Sequence, residues 1–317
     1  MSLPAAAASH LPYAAPIHAD GTAATVHRDI KIARMQDSFA YCEALVRAAD
    51  KDRFLAALFA PAAHRGALYA LYAFNVEIAR IREVIREPLA GEIRLQWWSD
   101  AIAGEAAGGA EAHPVAAALS ATVARYHLPA ELLTGLVAAR RFDLYDDPMR
   151  TLADFNAYAR ATSSALIELS ARIGEAGDMP GLGEVALHAG LAYSIASLLQ
   201  AFPVHAARGQ LFLPSDVLER HGVERRDLAA EPASAGLRAA LAEMRGQARR
   251  HLQVAARLAP ALPVPALPAL LPVALVRPLL DRMERGDYDP FAGVDLPQWR
   301  RQWRLWRAAR KPERIFS

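Results

Sequence analysis

The chain has 317 residues, of which 53% are hydrophobic and 22% charged, and its formal net charge at pH 7 is +2. This composition is that of a globular protein with a large core, and it excludes an extended disordered chain. The small net charge argues against a dedicated nucleic-acid-binding protein, and the single cysteine, Cys42, excludes an internal disulfide and a cysteine-based zinc site.

Residues 1–30 are rich in small apolar residues and lack the basic start and continuous apolar stretch of a secretory signal, so we expect a flexible leader. After it, apolar residues recur at helical spacing and strand-like alternation is almost absent. No segment of about 20 to 50 residues repeats along the chain, which argues against a solenoid. We therefore predict one all-α domain over residues 31–296. The predicted helices lie near residues 32–49, 62–85, 89–103, 114–126, 129–144, 152–173, 183–201, 233–258 and 269–285.

An uncharged stretch between Arg257 and Arg277 is long enough to cross a bilayer. It contains five prolines, which would interrupt the backbone hydrogen bonds where no water can replace them. We therefore expect a surface connection leading into a final helix, and no membrane span.

Three segments carry a family resemblance. They read RFLAALFAPAAHRGALYALYAFNVEIARIRE (residues 53–83), EIRLQWWSDAI (92–102) and GLAYSIASLLQAFPVHAARGQLFLP (190–214). In this order and spacing they resemble the squalene/phytoene synthase family, whose members join two prenyl diphosphates head to head. The resemblance covers residues 36–291. It implies an isoprenoid-synthase-type helical bundle around a central cavity.

The resemblance places two aspartate-rich motifs on residues that are mostly not acidic. The first motif falls on Ala79, Arg80 and Glu83, and the second falls on Ala201 and His205. In the family these motifs hold magnesium, which prefers carboxylate oxygens and would clamp the diphosphate. Since only Glu83 keeps a carboxylate, we expect no catalytic residues at these positions, no metal and no cofactor. Magnesium would be needed only if the chain were an enzyme.

Within the family, AFNVEIARIRE, IRLQWW and PVHAARGQLFLP resemble the branch of mitochondrial respiratory complex I assembly factors and their bacterial relatives. This implies a non-catalytic assembly or scaffolding role, with complex I subunits or assembly intermediates as partners. Two alternatives stay open. One is a phytoene or squalene synthase that recruits metal through Glu77, Glu83 and other acids, and the other is an isoprenoid or lipid carrier that uses the old cavity.

The charged residues of these segments suggest a polar pocket. Glu77, Arg80 and Glu83 recur every third residue, either as a solvated ion-pair row or, in the family's fold, as a network facing the cavity. Arg65, Arg80 and Arg208 would bind a phosphate or lipid headgroup, or pair with nearby glutamates.

Aromatic residues in the same segments would line an apolar tunnel, or belong to an ordinary core. These residues are Tyr69, Tyr72, Trp97, Trp98, Tyr193 and Phe212. Gln200 and His205 complete the predicted pocket, although a single histidine after a proline is equally typical of a hydrogen-bonded loop residue.

The densest acidic cluster consists of Asp143, Asp146 and Asp147. It suggests a metal site, but the proline that follows it and the Thr-x-x-Asp pattern of residues 151–154 favour a loop that leads into a helix cap. We interpret this cluster as structural.

Residues 297–317 form a basic tail that we predict to be helical. Trp299, Trp303 and Trp306 fall on one face, flanked by arginines that include Arg300 and Arg304. This pattern suits an interface with anionic lipids. The simpler alternative is docking on a partner or on its own domain, with tryptophans inside and arginines outside. We expect a cytoplasmic protein, with peripheral contact at the inner face of the membrane.

Overall fold

The computed structural model describes residues 20–106, 109–145, 147–176, 179–228 and 232–317, with side chains from residue 33 onward except residues 175 and 176. These ranges are all-α and contain no strand. The α-helices are α1 (Asp20–Ala49), α2 (Lys51–Ala57), α3 (Ala62–Ala79), α4 (Ile81–Val84), α5 (Pro88–Ala103), α6 (Pro114–Tyr126), α7 (Ala130–Ala139), α8 (Leu152–Ala159), α9 (Ala165–Ala171), α10 (Leu182–Ala207), α11 (Ser215–Arg220), α12 (Ala235–Leu258), α13 (Val276–Met283) and α14 (Gln298–Arg310).

Shorter helical turns join these elements. The 3₁₀ turns are Phe142–Leu144, Arg225–Leu228, Ala259–Ala261, Val264–Leu275 and Pro312–Arg314, and the π turns are Arg160–Ser164 and Arg172–Ala176.

The core has two parts, each built around one long apolar helix. In the first part α3 packs against α1 and α6, and Phe74 meets the fully buried Trp98 of α5 edge to face, with ring centroids 5.2 Å apart. In the second part α10 packs along α12, burying Ile195 and Met244. Because α9 contacts both α3 and α10, it joins the two parts.

Several predicted boundaries differ from the structure, among them the ends of the predicted helices 129–144, 152–173, 183–201 and 269–285. Helix α1 already begins at Asp20, within the predicted leader, whereas residues 1–19 lie outside the described residues. The predicted helix 62–85 is divided, since α3 ends at Ala79 and α4 starts at Ile81. The backbone of Arg80 between them, with φ −87° and ψ −3°, leaves the regular α conformation.

The proline-rich segment is not the surface connection that we predicted. It forms the 3₁₀ helix Val264–Leu275, in which most residues are buried, and it packs against α2, α9 and α14. A 3₁₀ arrangement of short turns tolerates prolines that would break a long α-helix, and the absence of charges allows burial. The fit is close: a Cβ on Gly174 would lie 2.3 Å from the carbonyl oxygen of Pro265.

Two described helical stretches are long and apolar enough to cross a membrane, Leu182–Ala207 and Val264–Met283. The greater part of the apolar window is buried within the protein in both, 61% and 72%. A core helix of this length passes the same test, so the pattern alone is weak support for a membrane span.

The C-terminal helix α14 docks on the domain, but not through its tryptophans. Its buried residues are Leu305 and Ala308, and Arg301 pairs with Asp52 of α2. Trp299, Trp303 and Trp306 are 64%, 47% and 47% exposed. The alternative with tryptophans inside and arginines outside is therefore wrong. Small and aliphatic residues make the closer contact with the buried 3₁₀ segment, and the bulky rings face outward.

Candidate functional site

The first motif lies where α3 ends and α4 begins, and its side chains face solvent. Arg80 and Glu83 are exposed and form a loose ion pair, with 3.7 Å between Nε and Oε2. Ala79 contributes no ligand. The structure therefore supports the solvated ion-pair row for these two residues, and it does not place them in an internal polar network facing a cavity.

The second motif lies in the last turns of α10, which continues through Pro203 to Ala207. Ala201 again offers no ligand. The His205 ring meets Phe212 edge to face at 4.7 Å, and no described residue hydrogen-bonds its buried Nδ1 atom. Burial, followed by the charge of Arg208, lowers the pKa of His205 and keeps the imidazole neutral near pH 7.

The residues at the two motifs do not fit the magnesium site of the family. A magnesium clamp needs several hard oxygen ligands, whereas these positions supply one carboxylate, paired with Arg80, and one desolvated imidazole. In the part of the chain that the structure describes, no three His, Cys, Asp or Glu residues converge in a way that could hold a metal ion. We derive no chemical step through magnesium at this site.

The acidic cluster of the α7–α8 connection is dispersed. Asp143 accepts hydrogen bonds from Arg140 and Tyr158, Asp147 is exposed, and Asp146 lies outside the described residues. The capping box between Thr151 and Asp154 is present at the start of α8. The prediction of a loop that leads into a helix cap is confirmed.

Three arginines predicted to form a cationic site are not brought together. Arg65 and Arg80 stand fifteen positions apart at opposite ends of α3, which corresponds to about 22 Å along the helix. Arg65 donates instead to the carbonyl oxygen of Ala60 at 2.9 Å, and Arg208 is exposed at the end of α10. A shared phosphate site for these three residues is excluded by their spacing.

The predicted tunnel aromatics belong to separate contacts. Tyr72 and Tyr193 flank the buried guanidinium of Arg53, whose carbon lies 5.9 and 5.0 Å from their ring centroids. Arg53 also pairs with Asp50 at 2.6 Å. This buried ion pair lies between the two tyrosines, so the space between them is filled by protein.

The remaining aromatics pack elsewhere. Tyr69 stacks on Phe54 at 5.5 Å, whereas Trp97 packs against His113 at 5.3 Å. Phe212 and His205 line a residual void of about 10 Å³. That volume is roughly the minimum needed for one water molecule and far too small for a prenyl chain.

Glu77 and Gln200 also lie apart from each other. The pKa of the Cys42 thiol in α1 is raised to about 12, first by burial and then by the negative charge of Glu77. Glu77 therefore lies on the side of α3 that faces α1. Gln200 donates a hydrogen bond to Asp295 at 3.1 Å, on the approach to α14.

A partly buried hydrogen-bonded group, which we call the central polar network, was not predicted from the sequence. It consists of Asn75 of α3, Arg140 after α7, Asp143 and Tyr158 of α8. Arg140 donates to Tyr158 at 2.8 Å, to Asp143 at 3.1 Å and to Asn75 at 3.3 Å. The Tyr158 hydroxyl donates to Asp143 at 2.9 Å.

The network holds its charges in pairs. Burial opposes the positive charge of Arg140, but neighbouring Tyr158 and Asp143 outweigh it and raise the pKa of the guanidinium. Burial is also the main reason that the pKa of Tyr158 is raised. Because a buried charge is costly unless it is paired, this arrangement fixes α3, α7 and α8 relative to one another.

An open depression of about 650 Å³, the α7–α8 groove, lies beside the network. None of the predicted pocket residues lines it. Its lining residues are Gly135, Ala138, Ala139, Phe142, Asp147, Pro148, Met149, Arg150, Asp154, Ala157, Tyr158 and Ala161. The walls are mainly apolar. The charged residues Asp147, Arg150 and Asp154 lie at the ends of the two lining segments 147–150 and 154–161.

The groove is poorly suited to a diphosphate. The nearest buried guanidinium, that of Arg140, is already neutralised by Asp143. Among the described lining residues, Asp147 and Asp154 outnumber the single cation Arg150. An anion with several charges would meet net repulsion there, whereas an uncharged apolar molecule would fit the walls.

The helical architecture defines the class of protein: an all-α isoprenoid-synthase fold. Residues 46–307 match the family profile described as squalene/phytoene synthase. The chain belongs to the squalene/phytoene synthase family. Among solved structures, a squalene synthase from Alicyclobacillus acidocaldarius superposes with a TM-score of 0.68 at 25% identity, covering 81% of this chain and 97% of that one.

Similarity to curated proteins adds a second relationship. Human "NADH dehydrogenase (ubiquinone) complex I, assembly factor 6" is 32% identical over 251 residues, covering 79% of this chain and 75% of the human protein. The phytoene synthase of Arthrospira platensis is 25% identical over 290 residues, covering 85% and 91%. The predicted family, the predicted fold and the predicted resemblance to complex I assembly factors are thus confirmed.

Proposed function

We propose that this protein is a non-catalytic family member that assists the assembly of respiratory complex I, the NADH:quinone oxidoreductase. The observation that carries the proposal is the chemistry of the motif positions. Ala79 and Ala201 provide no ligand, Glu83 is paired at the surface with Arg80, and His205 is half-buried and neutral. A magnesium-dependent ionisation of prenyl diphosphates has no support from these side chains.

The interior of the bundle supports the same proposal. Arg53 with Asp50 fills the space between Tyr72 and Tyr193, and the central polar network ties α3 to α7 and α8. These paired charges suit a rigid scaffold, since they occupy the space between the two tyrosines and connect three helices. The similarity to a human complex I assembly factor then supplies the client.

Subunits or assembly intermediates of complex I are the proposed partners, and nucleic acid is not. The protein would work without metal or cofactor, in the cytoplasm at the inner face of the membrane. This location follows from the proposed client, since an assembly factor must meet membrane-bound intermediates.

The proposal is tested by deleting the gene in the organism that encodes the chain. We expect assembled complex I and NADH:quinone reductase activity of the membranes to fall, while succinate dehydrogenase, a respiratory enzyme outside the proposed role, stays constant. Complementation with the wild-type chain should restore complex I. Unchanged complex I in the deletion strain would refute the assembly role.

A second candidate, an isoprenoid- or lipid-binding protein, is favoured by one observation, the apolar walls of the α7–α8 groove. Uncharged prenyl alcohols or quinones should then protect the protein against thermal unfolding. Replacing Ala138 at the wall of the groove by Trp would abolish the protection, whereas replacing the exposed Ala256 of α12 by Trp would not. The enzyme alternative, a prenyl transferase, is addressed by the turnover assay described below.

A further inference from the structure

The outward face of α14 combines exposed aromatic rings with unneutralised cations. Arg300, Arg307 and Arg310 each place a guanidinium over a tryptophan of the same helix, with its carbon 4.8 to 5.1 Å from the ring centroid. Among the described residues, none of these three arginines forms an ion pair with a carboxylate. Helix α14 itself contains no acidic residue.

A basic depression of about 340 Å³ adjoins this face. Trp303 and Arg307 form one side, and Arg277 and Arg314 are part of the same wall. Asp281 is the one acidic side chain among the described lining residues, and it forms a 2.7 Å ion pair with Arg249 of α12. The depression therefore concentrates positive charge that the protein itself does not neutralise.

The pKa of Arg304 reflects this excess of positive charge. It lines the same depression, and burial together with the charges of Arg307, Arg277 and Arg300 lowers the pKa of its guanidinium, although Asp281 opposes the effect. A bound anion would relieve this repulsion. A phosphate group suits such a cluster because guanidinium groups donate paired hydrogen bonds to its oxygens.

The helix is held as a rigid platform. Leu305 and Ala308 are buried beneath it, and Arg301 is clamped by Asp52 of α2 and Asp295. The tryptophans thus remain outside without unfolding of the helix. Tryptophan rings prefer the boundary between headgroups and acyl chains, and neighbouring arginines attract anionic headgroups.

We infer that the outward face of α14, with the adjoining basic depression, docks onto a bilayer that contains anionic phospholipids. The three tryptophans would enter the headgroup boundary, and one lipid phosphate would occupy the depression between Arg304, Arg307 and Arg314. Charge complementarity favours this occupant, since a surface with three exposed tryptophans and an excess of arginines matches an apolar layer covered by negative charge. The inference goes beyond the assembly role and stands whether or not that role is correct.

The test uses the full chain and sedimentation with vesicles. The probes are vesicles of phosphatidylcholine alone and of phosphatidylcholine with about 30 mol % phosphatidylglycerol, which carries the anionic surface potential. We expect binding to the anionic vesicles only, together with a blue shift of tryptophan fluorescence. High salt should weaken the binding because it screens the surface charge.

Two sets of variants locate the contact. Replacing Arg277, Arg307 and Arg314 by Gln should weaken binding to the anionic vesicles by roughly 100-fold, since each basic residue near such a surface contributes about a tenfold effect or less. Replacing Arg225, Arg250 and Arg257 by Gln removes the same charge from exposed positions on other elements and should change binding far less. Replacing all three tryptophans of α14 by Ser should weaken binding by at least about tenfold.

A matched apolar control separates membrane docking from general stickiness. Val84, Leu89 and Ile93 are 74%, 70% and 65% exposed, and replacing them by Ser should leave vesicle binding unchanged. Circular dichroism shows whether each variant is folded, and single substitutions of Trp303 and Arg307 serve if a triple variant unfolds.

Several outcomes would overturn the inference. Equal binding to neutral and anionic vesicles, or no binding to either, would exclude recognition of anionic lipid. Displacement of the protein from vesicles by millimolar inorganic phosphate at constant ionic strength would indicate a soluble anion instead. Loss of a dimer in the tryptophan variant, measured by analytical ultracentrifugation without any vesicle binding, would assign the face to a second copy of the chain.

Discussion

The guanidinium of Arg140 donates a 2.8 Å hydrogen bond to the hydroxyl of Tyr158, and both side chains are partly buried where α7 meets α8. The same hydroxyl donates to Asp143, so a single oxygen connects a cation and an anion inside the bundle. This contact joins the end of α7 to α8 through a hydrogen-bonded ion pair.

Removing that hydroxyl should be costly. We expect Tyr158→Phe to lower the free energy of unfolding by about 1–3 kcal/mol, because it leaves the partly buried side chains of Arg140 and Asp143 without one partner each. Urea denaturation measures the change. Tyr145→Phe is the matched control, since that hydroxyl donates to Glu92 at 2.8 Å on the exposed surface and its loss should matter far less. Equal effects of the two substitutions would contradict the structural role of the network.

The contact between α10 and the π turn before α9 depends on a glycine. A Cβ on Gly190 would lie 2.2 Å from Oγ and 2.4 Å from Cα of Ser164, where the backbone cannot yield. We expect Gly190→Ala to destabilise the protein by about 2 kcal/mol or more through overpacking. Gly246→Ala in α12, where the new Cβ would have its nearest contact at 3.7 Å, should instead stabilise by about 0.5–1 kcal/mol. Thermal unfolding of both variants distinguishes the two sites.

A histidine pair joins α10 to α12 and should make stability depend on pH. The Nδ1 atoms of His188 and His251 are 2.8 Å apart, and burial, then the charges of His188 and Arg250, lower the pKa of His251 from 6.5 to about 4. The unfolded chain therefore binds a proton that the folded protein resists. Stability should fall as the pH drops from 6.5 towards 4, by about 1–2 kcal/mol after solvent screening.

Replacing His251 by Asn should flatten this pH dependence, although it also removes one hydrogen bond. His127→Asn is the control, because His127 is exposed in a left-handed conformation that asparagine tolerates. Denaturation at several pH values between 4 and 7 gives the slope for each variant. A wild-type slope that survives in the His251 variant would assign the effect to other groups.

The remaining carboxylate of the first motif should be dispensable. Glu83 is exposed, and its loose contact with Arg80 is worth little in solvent. We expect Glu83→Gln, alone or with His205→Gln, to restore complex I in a deletion strain as well as the wild-type chain does. Gly190→Ala, which damages the fold, gives the reference for real loss. Complete failure of a folded Glu83→Gln protein would argue strongly for a metal-dependent activity.

The sequence predicted most helices because their apolar spacing is local information. Helix α6 matches its prediction, and α12 begins within two residues of it. The missing carboxylates were also visible, since a ligand is lost wherever alanine stands at a motif position. Both conclusions need only the order of residues and a family pattern.

Long-range partners were not predictable in the same way. Asn75 and Arg140 are 65 positions apart, and no local pattern indicates that an arginine after α7 would pair inside the bundle. Burial of the segment Val264–Leu275 was not predicted, because its prolines are typical of a surface connection and only the absence of charge indicated burial. For α14 the periodicity identified two faces but not which face is buried, because that choice depends on the surface it meets.

The most direct test of the central claim, an isoprenoid-synthase fold without diphosphate chemistry, is a turnover assay. Purified protein is incubated with farnesyl or geranylgeranyl diphosphate, magnesium and NADPH, beside an active synthase, while diphosphate release and new hydrocarbon are measured. The replaced ligands predict no diphosphate release above a protein-free blank. Magnesium-dependent formation of a head-to-head hydrocarbon would contradict this account and show that the chain binds metal through other residues.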